Sequence, residues 1–115
     1  MTIRIFHNPR CSKSRATLAL LQEQGVEPEI TLYLEDPPSA SELKSILKML
    51  GLTARDLMRK GEAEFREQNL ADETLTEDQL IAAMVASPRL IERPIVLANG
   101  RAAIGRPPES VLEIL

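Results

Sequence analysis

The sequence predicts an α/β fold: a four-stranded mixed sheet with helices on both faces and an inserted helical block. Three observations predict it. A short apolar strand near the N-terminus runs into a helix and then a second strand, capped helices fill the middle, and Asn99-Gly100 joins two apolar runs near the end. The 115 residues suffice for one hydrophobic core and not for two, so one domain spanning residues 1–115 is expected.

The elements follow in order. Ile3 and Ile5 alternate with Thr2, Arg4 and Phe6 in a strand that Asn8-Pro9 breaks. Ser12 to Gln24 is rich in Leu and Ala and reads as a helix, with Gly25 as its stop, which sets Cys11 at a strand-to-helix turn. Glu29 to Leu34 reads as a second strand with Ile30, Leu32 and Leu34 on one face, ended by Asp36-Pro37-Pro38. Strand, helix and strand form a parallel unit.

Ser39-Ala40-Ser41-Glu42 fits a capping box, and Leu43, Ile46, Leu47 and Leu50 follow at helical spacing before Gly51. Shorter helices are expected over Thr53–Arg59 and Glu62–Gln68, and Thr76 caps another running to about Ala86 before Pro88. Ile95–Ala98 and Arg101–Ile104 flank Asn99-Gly100, whose residues accept the positive φ of a type I′ hairpin turn. Pro107-Pro108 opens a last helix with Val111, Leu112 and Leu115 inward. Together these elements make a thioredoxin-like topology with extra helices inserted.

Composition narrows the function. The net charge of −3 argues against a broad footprint for nucleic acid or anionic membrane, and the 3% aromatic content supplies no base-stacking platform. A single cysteine excludes a disulfide scaffold, the N-terminus carries no apolar signal core, and the longest apolar run, Leu80 to Ala86, is far too short for a membrane span. A cytoplasmic protein is expected. Ten arginines against four lysines favour gripping oxyanions through paired donors.

The chemistry concentrates in His7-Asn8-Pro9-Arg10-Cys11-Ser12-Lys13-Ser14-Arg15. A cysteine at a helix start meets unpaired N–H groups and the positive end of the helix dipole, and Arg10, Lys13, Arg15 and His7 can add charge, all favouring thiolate. The same donors would hold an anion. A lone cysteine can equally be a small buried apolar residue, and lone arginines are commonly solvated.

Spacing excludes some rivals. A Cys-x5-Arg phosphate loop fails because Thr17 holds the sixth position, and Ser14 replaces the second sulfur of a Cys-x-x-Cys dithiol. One His and one Cys make a protein-only zinc site implausible, so no metal and no bound cofactor are expected. In such a topology the proline before the third strand is commonly cis and faces the helix-start cysteine, so Arg93-Pro94 is predicted cis, with Arg93 beside Cys11.

His7-Asn8-Pro9-x-Cys11-x-x-Ser14-Arg15, Tyr33-Leu34-Glu35-x-Pro37-Pro38, Leu57-Met58-Arg59-Lys60, Leu90-Ile91-x-Arg93-Pro94-Ile95-Val96 and Arg106-Pro107 resemble the glutathione- and glutaredoxin-linked arsenate reductases. The resemblance implies Cys11 as nucleophile, Arg59, Arg93 and Arg106 as oxyanion-binding residues, His7 as a group that depresses the cysteine pKa, and Ser14 as a contact of the thiolate. It implies arsenate as substrate, with glutathione as reducing co-substrate and glutaredoxin as partner. Arg10, Ser12 and Lys13 depart from the smaller residues of plasmid-type members, and the chain stops just after its last helix, as in a short-tailed, chromosomal-type subgroup. Two other readings stand beside it: a regulator similar to the Spx proteins that contact RNA polymerase, and a glutathione-dependent reductase of another substrate.

Overall fold

The computed structural model describes residues 3–115; Met1 and Thr2, the latter included in the expected first strand, lie outside the described residues. The chain divides into two compact units, one holding the sheet (through Asp36, and Arg93–Leu115) and one helical (Pro37–Glu92). No helix among the described residues is long and apolar enough to cross a membrane.

In the sheet unit, β1 (Arg4–Phe6) leads to α1 (Ser12–Glu23) and β2 (Glu29–Thr31); β3 (Ile95–Ala98) and β4 (Arg101–Ile104) precede a terminal 3₁₀ helix, Pro108–Ile114. The sheet order is β2-β1-β3-β4, with β2 parallel to β1, and β3 antiparallel to both β1 and β4. This is the mixed four-stranded sheet expected. Its core on one face joins Ile5, Val96 and Ala98 to Leu21 of α1 and to Val111 and Ile114 of the terminal helix. Fully burying side chains of this kind stabilises by about 1.5–3 kcal/mol each.

The hairpin forms as the sequence predicts, with φ of 56° at Asn99 and 71° at Gly100. Asn99 Nδ2 also donates to the Ile114 carbonyl at 2.6 Å, tying the turn to the end of the chain. Gly25, at φ 77°, follows α1 as expected.

Two elements differ from expectation. β2 is only three residues long, because β1 ends at Phe6; after the last rung, His7 N to Thr31 O at 2.9 Å, the chain turns with Glu35 N and Asp36 N both donating to Leu32 O. Ile30 pairs with Ile5 but lies on the edge strand and stays 47% exposed, while Leu32 and Leu34 lie past the strand at 39% each and Thr31 and Tyr33 are buried instead. The terminal helix winds as a 3₁₀ helix, whose three-residue period brings Val111 and Ile114 inward and leaves Leu112 and Leu115 exposed.

In the helical unit, α2 (Ala40–Leu50), α3 (Ala54–Leu57), α4 (Ala63–Glu67) and α5 (Glu77–Ala86) precede a 3₁₀ turn, Pro88–Leu90, and α2 and α3 both pack on α5. Ser39 caps α2, and full capping boxes start α3 (Thr53, Asp56) and α5 (Thr76, Gln79). The helix expected over Thr53–Arg59 stops at Leu57 because Met58 turns extended and bridges Ile91.

Both Arg93-Pro94 and Arg106-Pro107 are cis, the first as predicted and the second unforeseen. Gly105, just past β4, sits where a Cβ would run into the Thr17 side chain of α1 and come within 2.8 Å of Pro94 Cγ. Gly105→Ala is therefore expected to destabilise the protein by about 1–3 kcal/mol, read as a lower denaturant midpoint. Gly61→Ala, with nothing within 4 Å of its Cβ, should leave the midpoint far less changed.

Candidate active site

The sheet brings three distant segments to one end. Continuing the β3–β4 register sets Pro94 opposite Gly105 and Arg93 opposite Arg106, and Gly105 N donates to Pro94 O at 2.9 Å. The antiparallel β1–β3 register lays this end beside the residues that follow Phe6. The loop from His7 to Arg10 then closes on itself: Asn8 O accepts from Cys11 N at 3.0 Å, and Asn8 Oδ1 accepts from Arg10 N at 3.0 Å.

Cys11 is the N-cap of α1, with extended backbone at φ −96° and ψ 123°. Its side chain closes no cap hydrogen bond, so the first N–H groups of the helix are left to act on charge at the sulfur. Burial pushes the thiol up most strongly, but it is outweighed together by the Ser14 N–H, by the hydrogen bond and charge of Arg93, and by the Lys13 N–H, and the pKa falls below the ordinary thiol value. Arg106 adds an Nη2 contact to Cys11 Sγ at 3.7 Å, while its Nε donates to Arg93 O at 2.8 Å. The cations at the sulfur thus come from the hairpin ends, and Arg15, from the local basic flank, donates to Pro9 O at 3.0 Å.

His7 and Ser14 form a buried pair, with Nδ1 and Oγ 2.6 Å apart, and Ser14 Oγ also accepts from Asn8 N at 3.0 Å. Burial, helped by the charge of Arg15, lowers the His7 pKa, so His7 is neutral near pH 7 and is not the added cation that its position suggested. The Ser14 hydroxyl is spent on orienting the loop, and its backbone N–H is what acts on the sulfur.

Arg59 belongs to the helical unit. Its N donates to Leu90 O at 2.7 Å, and Glu92 N donates to Leu57 O at 3.0 Å, fixing its backbone between α3 and the segment before Arg93. Its guanidinium faces Glu62 at 3.7 Å and Glu92 at 3.8 Å. Asn8, read from the sequence as a turn residue, does close the loop, whereas sequence reasoning missed Gly105 as a positioning residue, although a lone glycine directly before the Arg106-Pro107 motif was the visible signal.

Fold and site together define a protein of thioredoxin-like architecture with one ionisable cysteine at a helix start beneath two arginines. Residues 6–114 match the ArsC family, and the chain belongs to that family. It is 52% identical to an arsenate reductase of Neisseria meningitidis serogroup A over 98% of this chain and 97% of that protein. It is 61% identical to the uncharacterized Escherichia coli K12 protein YfgD over 98% of this chain and 96% of that one. Among solved structures, an arsenate reductase from Vibrio cholerae matches with TM-score 0.97 and 55% identity, covering 100% of this chain and 98% of that chain.

The site sets a pH dependence. The Cys11 alkylation rate with iodoacetamide should follow a titration below the free-thiol range of about 8.5, and Arg93→Gln should move that titration upward. Because the folded state favours the thiolate, this group's contribution to stability is complete above the unfolded thiol value and is lost as pH falls through the folded one. Alkylation of Arg93→Gln that titrates as in the wild type would remove Arg93 from the account.

Proposed function

We propose that this chain reduces arsenate to arsenite through a covalent Cys11 adduct resolved by glutathione and glutaredoxin. The observation that carries the reading is the Cys11 sulfur held between the N-terminus of α1 and two guanidinium groups, with Arg106 Nη2 at 3.7 Å. An oxyanion drawn to those donors arrives beside the nucleophile, and the positive groups offset the repulsion between thiolate and dianion.

The thiolate attacks arsenic, and a protonated oxygen leaves as water, forming an arsenic–sulfur bond. A glutathione thiolate then attacks the Cys11 sulfur; the electron pair of the arsenic–sulfur bond stays on arsenic, which departs as arsenite. The two sulfurs, oxidised, remain as a Cys11–glutathione disulfide, and thiol exchange with glutaredoxin restores Cys11. No second cysteine exists to supply the resolving sulfur, so the external thiol is obligatory and no bound cofactor is required. Arg93 and Arg106, joined by Arg59 in the role that the motifs imply, bind the anion; His7 and Ser14 hold the cysteine loop. The chain acts as one catalytic domain, 1–115, in the cytoplasm, where glutathione is abundant and reduced.

Cys11→Ser should abolish arsenate-dependent oxidation of glutathione while leaving the circular dichroism spectrum unchanged. Mass spectrometry after treatment with arsenate and glutathione should find the adduct on residue 11. Arg93→Ala and Arg106→Ala should each raise the arsenate KM by about 10- to 100-fold, the effect of losing one charged hydrogen bond. Steady-state arsenate reduction by Cys11→Ser would sink the proposal.

A further inference from the structure

A cavity of about 260 Å³ opens beside the cysteine loop, between that loop and the turn that follows β2. His7, Asn8 and Arg10 line one side, and Leu32, Leu34 and Glu35 line the other. The parallel β1–β2 register makes this pairing inevitable, since Phe6 lies opposite Thr31 and both chains leave the sheet together.

Three features of the cavity bear on what it could hold. Leu32 and Leu34 keep 39% of their surface exposed, although Tyr33 between them is buried. Arg10 and Glu35 bring opposite charges to one cavity, yet among the described residues no ion pair joins them. The cavity is walled by the residues immediately before Cys11, whose N is bonded to Asn8 O.

Opposite charges that do not close on each other, set about an apolar wall, match a ligand that carries both signs on a short aliphatic stem. The α-amino acid end of a γ-glutamyl thiol has this form. We infer that this cavity binds the γ-glutamyl end of glutathione, with Arg10 taking its carboxylate, Glu35 its ammonium group, and Leu32 and Leu34 its methylenes. The inference rests on the reading that glutathione resolves an adduct at Cys11, and it assigns to that thiol a site separate from the arginines that hold the oxyanion.

Thiol exchange tests the site without arsenate. In the oxidising direction the Cys11 thiolate attacks one sulfur of glutathione disulfide, forming the Cys11–glutathione disulfide and releasing one glutathione thiolate. With the full chain, the rate of this step should saturate in glutathione disulfide, whereas with bis(2-hydroxyethyl) disulfide, which lacks the amino acid end, it should stay linear. The ratio of the two rates at low disulfide concentration corrects for any change in Cys11 reactivity. Glu35→Ala and Arg10→Ala should each lower that ratio about tenfold, and Glu35→Asp should restore most of it. An unchanged ratio in both alanine variants, or a wild-type rate linear in glutathione disulfide, overturns the inference. Failure to find an arsenate adduct would instead overturn the proposed reaction and leave the measured ratio standing.

Discussion

Much depends on how closely α1 approaches the ends of β3 and β4. Thr17 of α1 is fully buried, bonded through Oγ1 to Lys13 O at 2.8 Å, and lies where a side chain on residue 105 would have to go. A bare backbone at Gly105 lets the helix that begins at Cys11 settle against the strand end that carries Arg106. The type I′ turn fixes the hairpin register, the register sets Arg93 opposite Arg106, and the glycine lets both meet the sulfur. Steric room at one position thus converts a hairpin and a helix into a charged site.

The electrostatics of that site follow from a competition. Burial alone would keep Cys11 a thiol, the ordinary fate of a small side chain packed inside a protein. Two N–H groups and the charge of Arg93 reverse the balance without help from His7, whose ring is held neutral. A charged imidazole beside Arg15 would be repelled, and the His7–Ser14 bond, buried as it is, serves better as a fixed brace for the loop than as a source of charge. The cysteine is activated from across the sheet and positioned by its own loop.

Those two origins explain what could be read in the sequence. Local signals were legible: Asn99-Gly100, the caps at Ser39 and Thr76, Gly51 after α2, and Cys11 at a helix start all rest on residues within one turn of each other. The family motifs named Arg93 and Arg106, and the hairpin explains why they meet. What escaped depends on context outside any short window. Ile30, Leu32 and Leu34 alternate like an inward face, but the length of the neighbouring strand decides where β2 ends, and that length is set by Asn8-Pro9 two dozen residues earlier. The 3₁₀ winding of the last helix and the room at Gly105 are likewise properties of packing, not of local pattern.

The exposed leucines that misled the sequence reading bear on the chemistry. A single-cysteine protein cannot direct its own reoxidation or reduction, so selectivity for the thiol that reaches residue 11 must come from noncovalent contacts near it. On the proposed reaction, Arg93 and Arg106 would not supply all of that selectivity, because the thiolate and its oxyanion would occupy them at the moment when a second sulfur must approach. The cavity on the other flank of the same loop, if it takes the γ-glutamyl end as inferred, would resolve that conflict and give a use to apolar side chains that the fold leaves exposed. On this view, the short β2 is what opens space beside the nucleophile: a strand continued to Leu34 would have closed it.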